Sequence, residues 1–599
     1  MHVVATAGHV DHGKSTLVRA LTGMDPDRLK EEHERGLSIA LGYCWTSFEE
    51  VGEVAFVDVP GHERFIATTL SGLGPVPGVL FVVAADDPWM PQAAEHLAAL
   101  DALGVRHGVL AVTRSDLADP GPATTAARAA MVGTSLAGIP AVAVSGSTGA
   151  GLDELRARLV ALAAGLPHPD PGSDVRLWVD RCFHVKGAGT VVTGTLPAGT
   201  LAAGDTLALG PTAEGGTGRT VRVRGVQSLG RPVGSATGVA RVALNVAGAT
   251  DAELRHSGVL VTPDRWLFTD VADVRVEDAS RLPHRPLLHL GATSTAARLR
   301  PLGDTAARLQ LDRRLPLRIG DRALLRDPGS RTVWGITVLD PAPPTLRRRG
   351  AARARAAELA DHDGTPGLLD EVRRRGCVRL SQLGRIGVRT DPLPDQGAVT
   401  VGDWAVSAEQ LARWQERLGA VVAEFEDSRP LEQGMPLPAA ANAVGLPDPG
   451  LVGALLRDPL RLVDGRVTRR PSVVLPAPVD AALEQLRADL EADPFGAPTA
   501  DRLRELGLDA KAMAAAAKAG RLLRLADGVV LMPGADRLAL ERLATLRQPF
   551  TTSEARQALG TSRRVVLPLL GFLDRSGATV RHPDDRRSVR GAGVTIDPR

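Results

Sequence analysis

The chain has 599 residues, a length that predicts several domains rather than one. Its 71 basic and 69 acidic side chains nearly cancel to a net charge of +2, which excludes a polycation and leaves any nucleic-acid binding to local patches. Three scattered cysteines, Cys44, Cys182 and Cys377, exclude a disulfide framework or a cysteine metal cluster. With no long apolar run and no leader-like start, a soluble cytoplasmic protein without a membrane partner is expected.

The first strand-like run, Val3 to Ala5, leads into residues 8–16, Gly-His-Val-Asp-His-Gly-Lys-Ser-Thr. A helical pattern follows, with Leu17, Val18, Ala20 and Leu21 on one face. Strand, glycine loop and helix in this order form the phosphate loop, Gly-x-x-x-x-Gly-Lys-[Ser/Thr]. Glycines let successive N–H groups point inward, and the helix adds its positive end. Lys14 can reach the β- and γ-phosphates, and the Ser15 hydroxyl can ligate Mg²⁺. Asp11, His12, Gly13 and Thr16 complete the nucleotide-binding set of this loop. The chain holds only five lysines, and one of them stands here.

Residues 1–166 alternate short apolar strands with helical stretches, the pattern of a parallel α/β sheet. Ser38, beside the flexible Gly36, can close over Mg²⁺ and the γ-phosphate; the alternative is an amphipathic helix ending at Gly36. The run Val54 to Val57 ends in Asp58-Val59-Pro60-Gly61-His62, where a carboxylate at a strand's C-terminal end suits metal chemistry. Asp58 can hold Mg²⁺ through water, and the Gly61 N–H can bond the γ-phosphate. Next, Val109 to Val112 precedes Thr113-Arg114-Ser115-Asp116, whose final acid can accept the donors of guanine. Ser145 and Gly146 form a turn able to close the base pocket.

These elements in this order resemble the G domain of translational GTPases. The resemblance implies a GTPase with GTP and Mg²⁺ as cofactors, Ser15, Ser38 and Asp58 as metal ligands, and His62 as the group that orients the attacking water. Val10 and Leu37 match the apolar gate beside that histidine. Ser38 stands where these GTPases usually carry Thr, and Arg114 where they carry Lys. Arg114 either follows a general Arg-for-Lys drift or stacks on the base.

Leu166 to Asp174 is Pro-rich and reads as a linker. Short β-rich runs then suggest β-barrels over 174–255 and 256–343. From 350 onward, repeated helices followed by a β-like hairpin suggest mainly α, tandem winged-helix units over 350–430, 431–475, 476–535 and 536–599. The expected fold class is thus multidomain: an α/β phosphate-loop GTPase domain, two or three β-barrel domains, and the winged helices. In residues 551–599, nine arginines face five acids. Ser562, Arg563 and Arg564 at a helix start, with Arg581, Arg586 and Arg587 in the wing, are the candidate RNA-binding residues.

The stretch Lys186 to Gly194 resembles the second domain of tRNA-delivering factors. Together with Ala40 to Tyr43, Asp180-Arg181 and Arg241 to Asn245, it resembles the bacterial selenocysteine-specific elongation factors. That resemblance implies an aminoacyl pocket, for which Tyr43, Arg181 and Arg241 are candidates, and a last winged helix that grips an mRNA hairpin. Expected partners are selenocysteinyl-tRNA, the ribosome and that hairpin, with the protein a monomer that reads UGA codons. Two alternatives stay open: a GTPase of sulfate activation, and a winged-helix nucleic-acid-binding regulator with a vestigial nucleotide domain.

Overall fold

The computed structural model describes residues 1–27, 38, 40–62, 66–74, 76–87, 89–187, 189–211, 218–327, 329–330, 332–392, 396–429, 431–432, 434–469, 475–526 and 528–590. Leu37 and Ala188 lie outside them. The chain forms two compact units: residues 1–396 with 403–405, and residues 397–402 with 406–599.

The first unit begins with strands β1 (His2–Ala7), β2 (Gly42–Phe48), β3 (Gly52–Asp58), β4 (Gly78–Ala84), β5 (His107–Thr113) and β6 (Ala141–Ala143). They form one sheet in the order β2-β3-β1-β4-β5-β6, parallel except for the β2–β3 pair. Helices α1 (Lys14–Thr22), α2 (Ile66–Leu73), α3 (Pro91–Leu103), α4 (Pro120–Met131) and α5 (Leu152–Gly165) connect them. Strand β4, Gly-Val-Leu-Phe-Val-Val-Ala, is buried along its whole length, as a strand covered on both faces must be. The period of two sorts its side chains: Val79, Phe81 and Val83 enter one core, while Leu80 and Val82 join Leu17, Val18 and Leu155 in the other.

The second domain is antiparallel. Its strands are β7 (Arg176–Trp178), β8 (Arg181–Val185), β9 (Gly189–Leu196), β10 (Thr200–Ala202), β11 (Thr206–Leu209), β12 (Thr220–Ser228), β13 (Arg231–Val233), β14 (Ser235–Thr237), β15 (Ala240–Ala247) and β16 (Val259–Val261). The main path runs β7-β16-β11-β12-β15-β9-β8, with β13 beside β12 and a separate β10–β14 ribbon. Helix α6 (Asp251–Ser257) precedes β16 and is held by a capping box between Thr250 and Glu253. Because β16 bonds to both β7 and β11, this domain runs past residue 255, where the sequence pattern placed its end. Three apolar residues are too short a run to announce a strand.

Strands β17 (Phe268–Arg275), β18 (Leu287–Leu290), β19 (Thr293–Pro301), β20 (Ala306–Pro316), β21 (Arg322–Arg326) and β22 (Val333–Asp340) close into a barrel in the order β17-β20-β19-β18-β21-β22. Helix α7 (Ala351–Leu359) lies on this barrel, with Ala352, Ala356 and Leu359 against Leu302, Ala306 and Leu339. The sequence pattern assigned it to a winged helix beginning at 350. Burial of Arg355 against Asp273 and Asp340 gives the physical reason for its place on the barrel.

In the second unit, the amphipathic helix Ala408–Ser428 buries Leu411, Trp414, Leu418 and Val422 and packs on Leu437–Val444. It therefore opens a winged helix that the sequence pattern began at 431, with Arg461–Val463 and Arg466–Thr468 as its hairpin. The next winged helix comprises Ala477–Glu491, Ala500–Glu505, Ala510–Lys518 and the hairpin Leu523–Ala526 with Val529–Leu531. The last comprises Ala535–Ala544, Thr552–Leu559, Arg563–Arg575 and the hairpin Thr579–Arg581 with Arg587–Val589. These last two share one core, in which Phe495, Leu525 and Leu531 meet Phe550, Leu559 and Leu570.

Candidate functional site

A cleft of about 400 Å³ opens where β1, β3 and β5 end. Asp11, Gly13, Lys14, Ser15, Thr16, Ser38, Gly61, Thr113, Arg114, Asp116 and Gly146 all line it. The loop that forms it needs its glycines. Gly8 has φ of 132°, and a Cβ there would stand 2.1 Å from the Val82 carbonyl oxygen. A Cβ on Gly61 would stand 2.6 Å from both Lys14 Nζ and Val10 N. Two peptide segments thus meet directly around the lysine.

Lys14 is buried and donates to the carbonyls of Gly8, at 3.2 Å, and His9, at 2.6 Å. Burial lowers its pKa to about 8, against the raising effect of Asp58, Asp11 and Asp27. Ser15 Oγ donates to Asp58 at 2.7 Å and lies 3.0 Å from Ser38 Oγ. Asp58 also accepts from Thr6 at 2.7 Å, while burial pushes its carboxyl upward. Two hydroxyls and a carboxylate form a hard-oxygen set, the chemistry that suits Mg²⁺ completed by substrate phosphates. Among the described residues, no group of three His, Cys, Asp or Glu side chains makes a metal site without them.

Four partners escaped sequence reasoning. Asp27 lines the cleft and accepts from Ser38 Oγ at 2.7 Å, placing a second carboxylate near the metal ligands. His96, from α3, accepts the Gly8 N–H through Nδ1 at 3.0 Å; burial lowers its pKa to about 3, so the ring is neutral and can accept. Asp87 bonds the buried His12 at 3.1 Å, so His12 supports the loop from behind. Ser145 is likewise buried and bonds the Thr148 N–H. Arg114 donates to Asp86 at 3.0 and 3.1 Å and to the Asp11 carbonyl, which fixes its guanidinium at the rim. The first three partners lie 11 to 88 residues from the groups they serve, beyond any local pattern. His62 directly follows Gly61 and is half-buried.

A second cavity, of about 220 Å³, lies between the β2–β3 edge and the second domain. Tyr43, Arg181 and Arg241 line it with Trp45, Phe183 and Leu229. The fourth missed partner is Asp180. It accepts from Arg241 Nη2 at 2.8 Å, from Thr193 at 2.7 Å and from the Tyr43 hydroxyl at 3.3 Å. Arg181 donates to the Leu41 carbonyl, and both guanidinium groups lie over the Tyr43 ring, at 5.4 and 3.7 Å. Two cations and one anion leave a surplus positive charge.

In the last winged helix, Ser562 occupies the N-cap position but makes no side-chain cap. Arg563 is exposed. Arg564 instead donates to the Pro498 and Gly528 carbonyls at 3.2 and 2.8 Å, tying its winged helix to the preceding one. Arg587 is buried and bonds Asp574 at 2.9 Å. Arg581 and Arg586 pair with Asp585 and Asp584 on the surface. Of the six predicted RNA contacts, Arg564 and Arg587 therefore hold the domain together.

Comparison with known proteins finds relatives along almost the whole chain. Residues 1–164 match the Elongation factor Tu GTP binding domain family. Residues 269–345 match the Selenocysteine-specific elongation factor beta-barrel domain, and residues 541–588 the Elongation factor SelB winged helix. A selenocysteine-specific elongation factor of Desulfomicrobium baculatum is 30% identical over 98% of this chain and 99% of its own length. The Escherichia coli (strain K12) selenocysteine-specific elongation factor is 34% identical over 72% of this chain and 71% of its own. A crystal structure of a bacterial selenocysteine-specific elongation factor superposes with a TM-score of 0.75 at 24% identity, covering 98% of this chain and 100% of that one, and so shares the fold.

Fold and cleft together define a translational GTPase of the elongation factor Tu type, an enzyme that binds guanine nucleotide. Within that class, the chain belongs to the selenocysteine-specific elongation factors. Similarity along almost its whole length leaves the sulfate-activation and regulator alternatives without support. No described helix is long and apolar enough to cross a membrane.

Proposed function

We propose that this chain carries selenocysteinyl-tRNA, with GTP, to ribosomes paused at a UGA codon beside an mRNA hairpin. The observation that carries the reading is the surplus positive charge in the Tyr43, Arg181 and Arg241 cavity. A selenol ionises near neutral pH, whereas the serine hydroxyl of the precursor stays neutral. A half-buried pocket with one uncompensated cation favours the anion, because a desolvated charge needs a partner.

In the GTPase cleft, Ser15, Ser38 and Asp58 would hold Mg²⁺, with Asp27 steadying Ser38. The ion would neutralise charge that develops on the β- and γ-phosphate oxygens. Lys14 turns from the Gly8 and His9 carbonyls toward the phosphates, and the Gly61 N–H bonds the γ-phosphate. His62 orients the attacking water once the ribosome positions it. The Asp116 carboxylate accepts the guanine donors, and Arg114, held by Asp86, covers the base.

Exposed arginines of the last winged helix, Arg563 foremost, bind hairpin phosphates. That tether raises the local concentration of the factor at one codon. The protein works as a cytoplasmic monomer. The test is GTP turnover with ribosomes programmed by a hairpin-bearing message: selenocysteinyl-tRNA should stimulate it strongly. Equal stimulation without the hairpin or with seryl-tRNA would refute the reading.

A further inference from the structure

Strands β4 and β5 run parallel with Ala84 opposite Thr113, so the residues that follow them emerge side by side at the cleft. The Ala85 N–H donates to the Thr113 carbonyl at 2.9 Å, which carries the pairing one step past the sheet. Two acids come next, and each takes a different partner. Asp87 bonds the buried His12 ring at 3.1 Å, while Asp86 accepts from Arg114 Nη1 through both its oxygens, at 3.0 and 3.1 Å.

The base loop also holds the phosphate loop directly. Thr113 Oγ1 donates to the His12 carbonyl at 2.7 Å, and Arg114 Nη2 donates to the Asp11 carbonyl. Asp11 and Arg114 both have left-handed backbone, with φ of 63° and 55°. Aspartate tolerates that region; a long side chain adopts it seldom, where the surroundings fix it. The Arg114 carbonyl accepts the Leu117 N–H at 2.9 Å, closing the turn that carries Asp116. Backbone and side chain of Arg114 are thus both committed.

The lysine that translational GTPases usually carry here has one nitrogen on a flexible stem, whereas a guanidinium fixes several N–H directions in one plane. Arg114 uses two nitrogens on two loops, Nη1 on Asp86 and Nη2 on Asp11, and this sets the plane of the group. Arg114 lines the cleft, and Asp86 stands outside its lining. Both side chains are about a third exposed, so the pair by itself adds little to folding stability. Its effect lies in the orientation of the one partner that faces the nucleotide.

We propose that Asp86 is a positioning residue for guanine-nucleotide binding: by clasping Arg114 against the Asp11 carbonyl it joins the base loop to the phosphate loop and slows nucleotide release. The inference deepens the reading above, in which Arg114 covers the base and Asp116 reads it. With the clasp open, Arg114 swings away from the base and the Asp11 carbonyl loses its donor. The clasp touches neither the γ-phosphate nor the guanine edge, so it holds GDP and GTP alike and leaves base preference to Asp116.

The test uses the full chain with Mg²⁺ and the variants D86A, D86N, R114A and D86A/R114A. Release of fluorescent GDP and of a non-hydrolysable GTP analogue is followed by stopped flow. Competition by GDP and by inosine diphosphate, which lacks the exocyclic amine of guanine, gives base preference, and thermal midpoints are recorded without nucleotide. D86A should speed release of both nucleotides by about three- to tenfold, with D86N, which keeps one acceptor oxygen, in between. The double variant should release no faster than R114A, because Asp86 acts through Arg114. The ratio of GDP to inosine diphosphate affinity and the thermal midpoint should stay unchanged in D86A. Unchanged release in D86A would overturn the proposal, as would additive effects in the double variant or a shifted base preference. If the unsubstituted protein binds GDP and inosine diphosphate equally while D86A weakens both, the Asp116 reading fails and the clasp stands.

Discussion

Arg241 donates to Asp180 through Nη2 at 2.8 Å, and its guanidinium carbon lies 3.7 Å from the centre of the Tyr43 ring. Burial alone would weaken the Arg241 charge, but Asp180 more than restores it. Asp180 in turn accepts from Tyr43 and Thr193, so one carboxylate orients three donors of the cavity wall. Arg181, bonded to a backbone carbonyl, keeps its charge for a ligand. The cavity is thus built as a fixed pair of cations with one counter-ion.

That arrangement predicts unequal effects of the two arginines. Arg241→Met leaves Asp180 buried beside the ligand, so selenocysteinyl-tRNA affinity should fall by about 3 kcal/mol, roughly a hundredfold or more. Arg181→Met should cost less, about 1–2 kcal/mol. Seryl-tRNA affinity should change little in either. A filter-binding competition measures all three, and equal losses for both aminoacyl forms would argue against a charged pocket.

Lys14 carries a proton linkage. Its pKa is about 8 because burial outweighs the nearby carboxylates, and bound phosphates would favour the protonated form. GTP binding should therefore take up a proton above about pH 8, with affinity falling up to tenfold per pH unit there and flat below about pH 7. Titration calorimetry in buffers of different ionisation enthalpy reads the uptake directly. Proton release on binding would contradict the assignment.

His62→Ala should spare GTP affinity while lowering ribosome-stimulated hydrolysis by about 10²–10⁴-fold. Intrinsic hydrolysis without ribosomes should change far less. Stopped-flow binding and phosphate release separate the two quantities.

The last winged helix separates contact from support. Arg563→Ala should weaken hairpin binding by about tenfold and flatten its salt dependence by about one unit, with little effect on melting. Arg564→Ala removes donors to Pro498 and Gly528 and should lower the melting temperature instead. A reversal of these outcomes would return Arg564 to the RNA interface.

Much of the GTPase cleft was legible because its groups sit in short loops after apolar strands, where periodicity locates them. Ser15, Ser38 and Asp58 do converge, within 3.0 Å of one another through Ser15 Oγ. Asp27, His96 and Asp87 were not legible, since their roles depend on strand order and helix docking rather than on neighbours in sequence. The same holds for Arg564 and Arg587: composition shows a basic domain but not which arginines its own carbonyls and carboxylates consume. Strand β16 and helix α7 were misassigned because a three-residue run and an Arg-Ala helix carry almost no pattern.

Helix α7 on the barrel gives a stability prediction. Burial pushes the Asp340 carboxyl up, but Arg375 and Arg355 outweigh it and hold it below the ordinary value. A depressed carboxylate stabilises the fold above the ordinary carboxylate range and loses that contribution as pH falls through its lowered value. Arg355→Met should therefore destabilise the first unit by about 3–5 kcal/mol at neutral pH, and by less in acid. Calorimetric melting at several pH values tests both the loss and its direction.

The most direct test of the account is a competition between selenocysteinyl-tRNA and seryl-tRNA, made on the same tRNA species, for the GTP-bound protein. The account predicts strong preference for the selenocysteinyl form, and its loss in Arg241→Met. Equal binding of the two would contradict it.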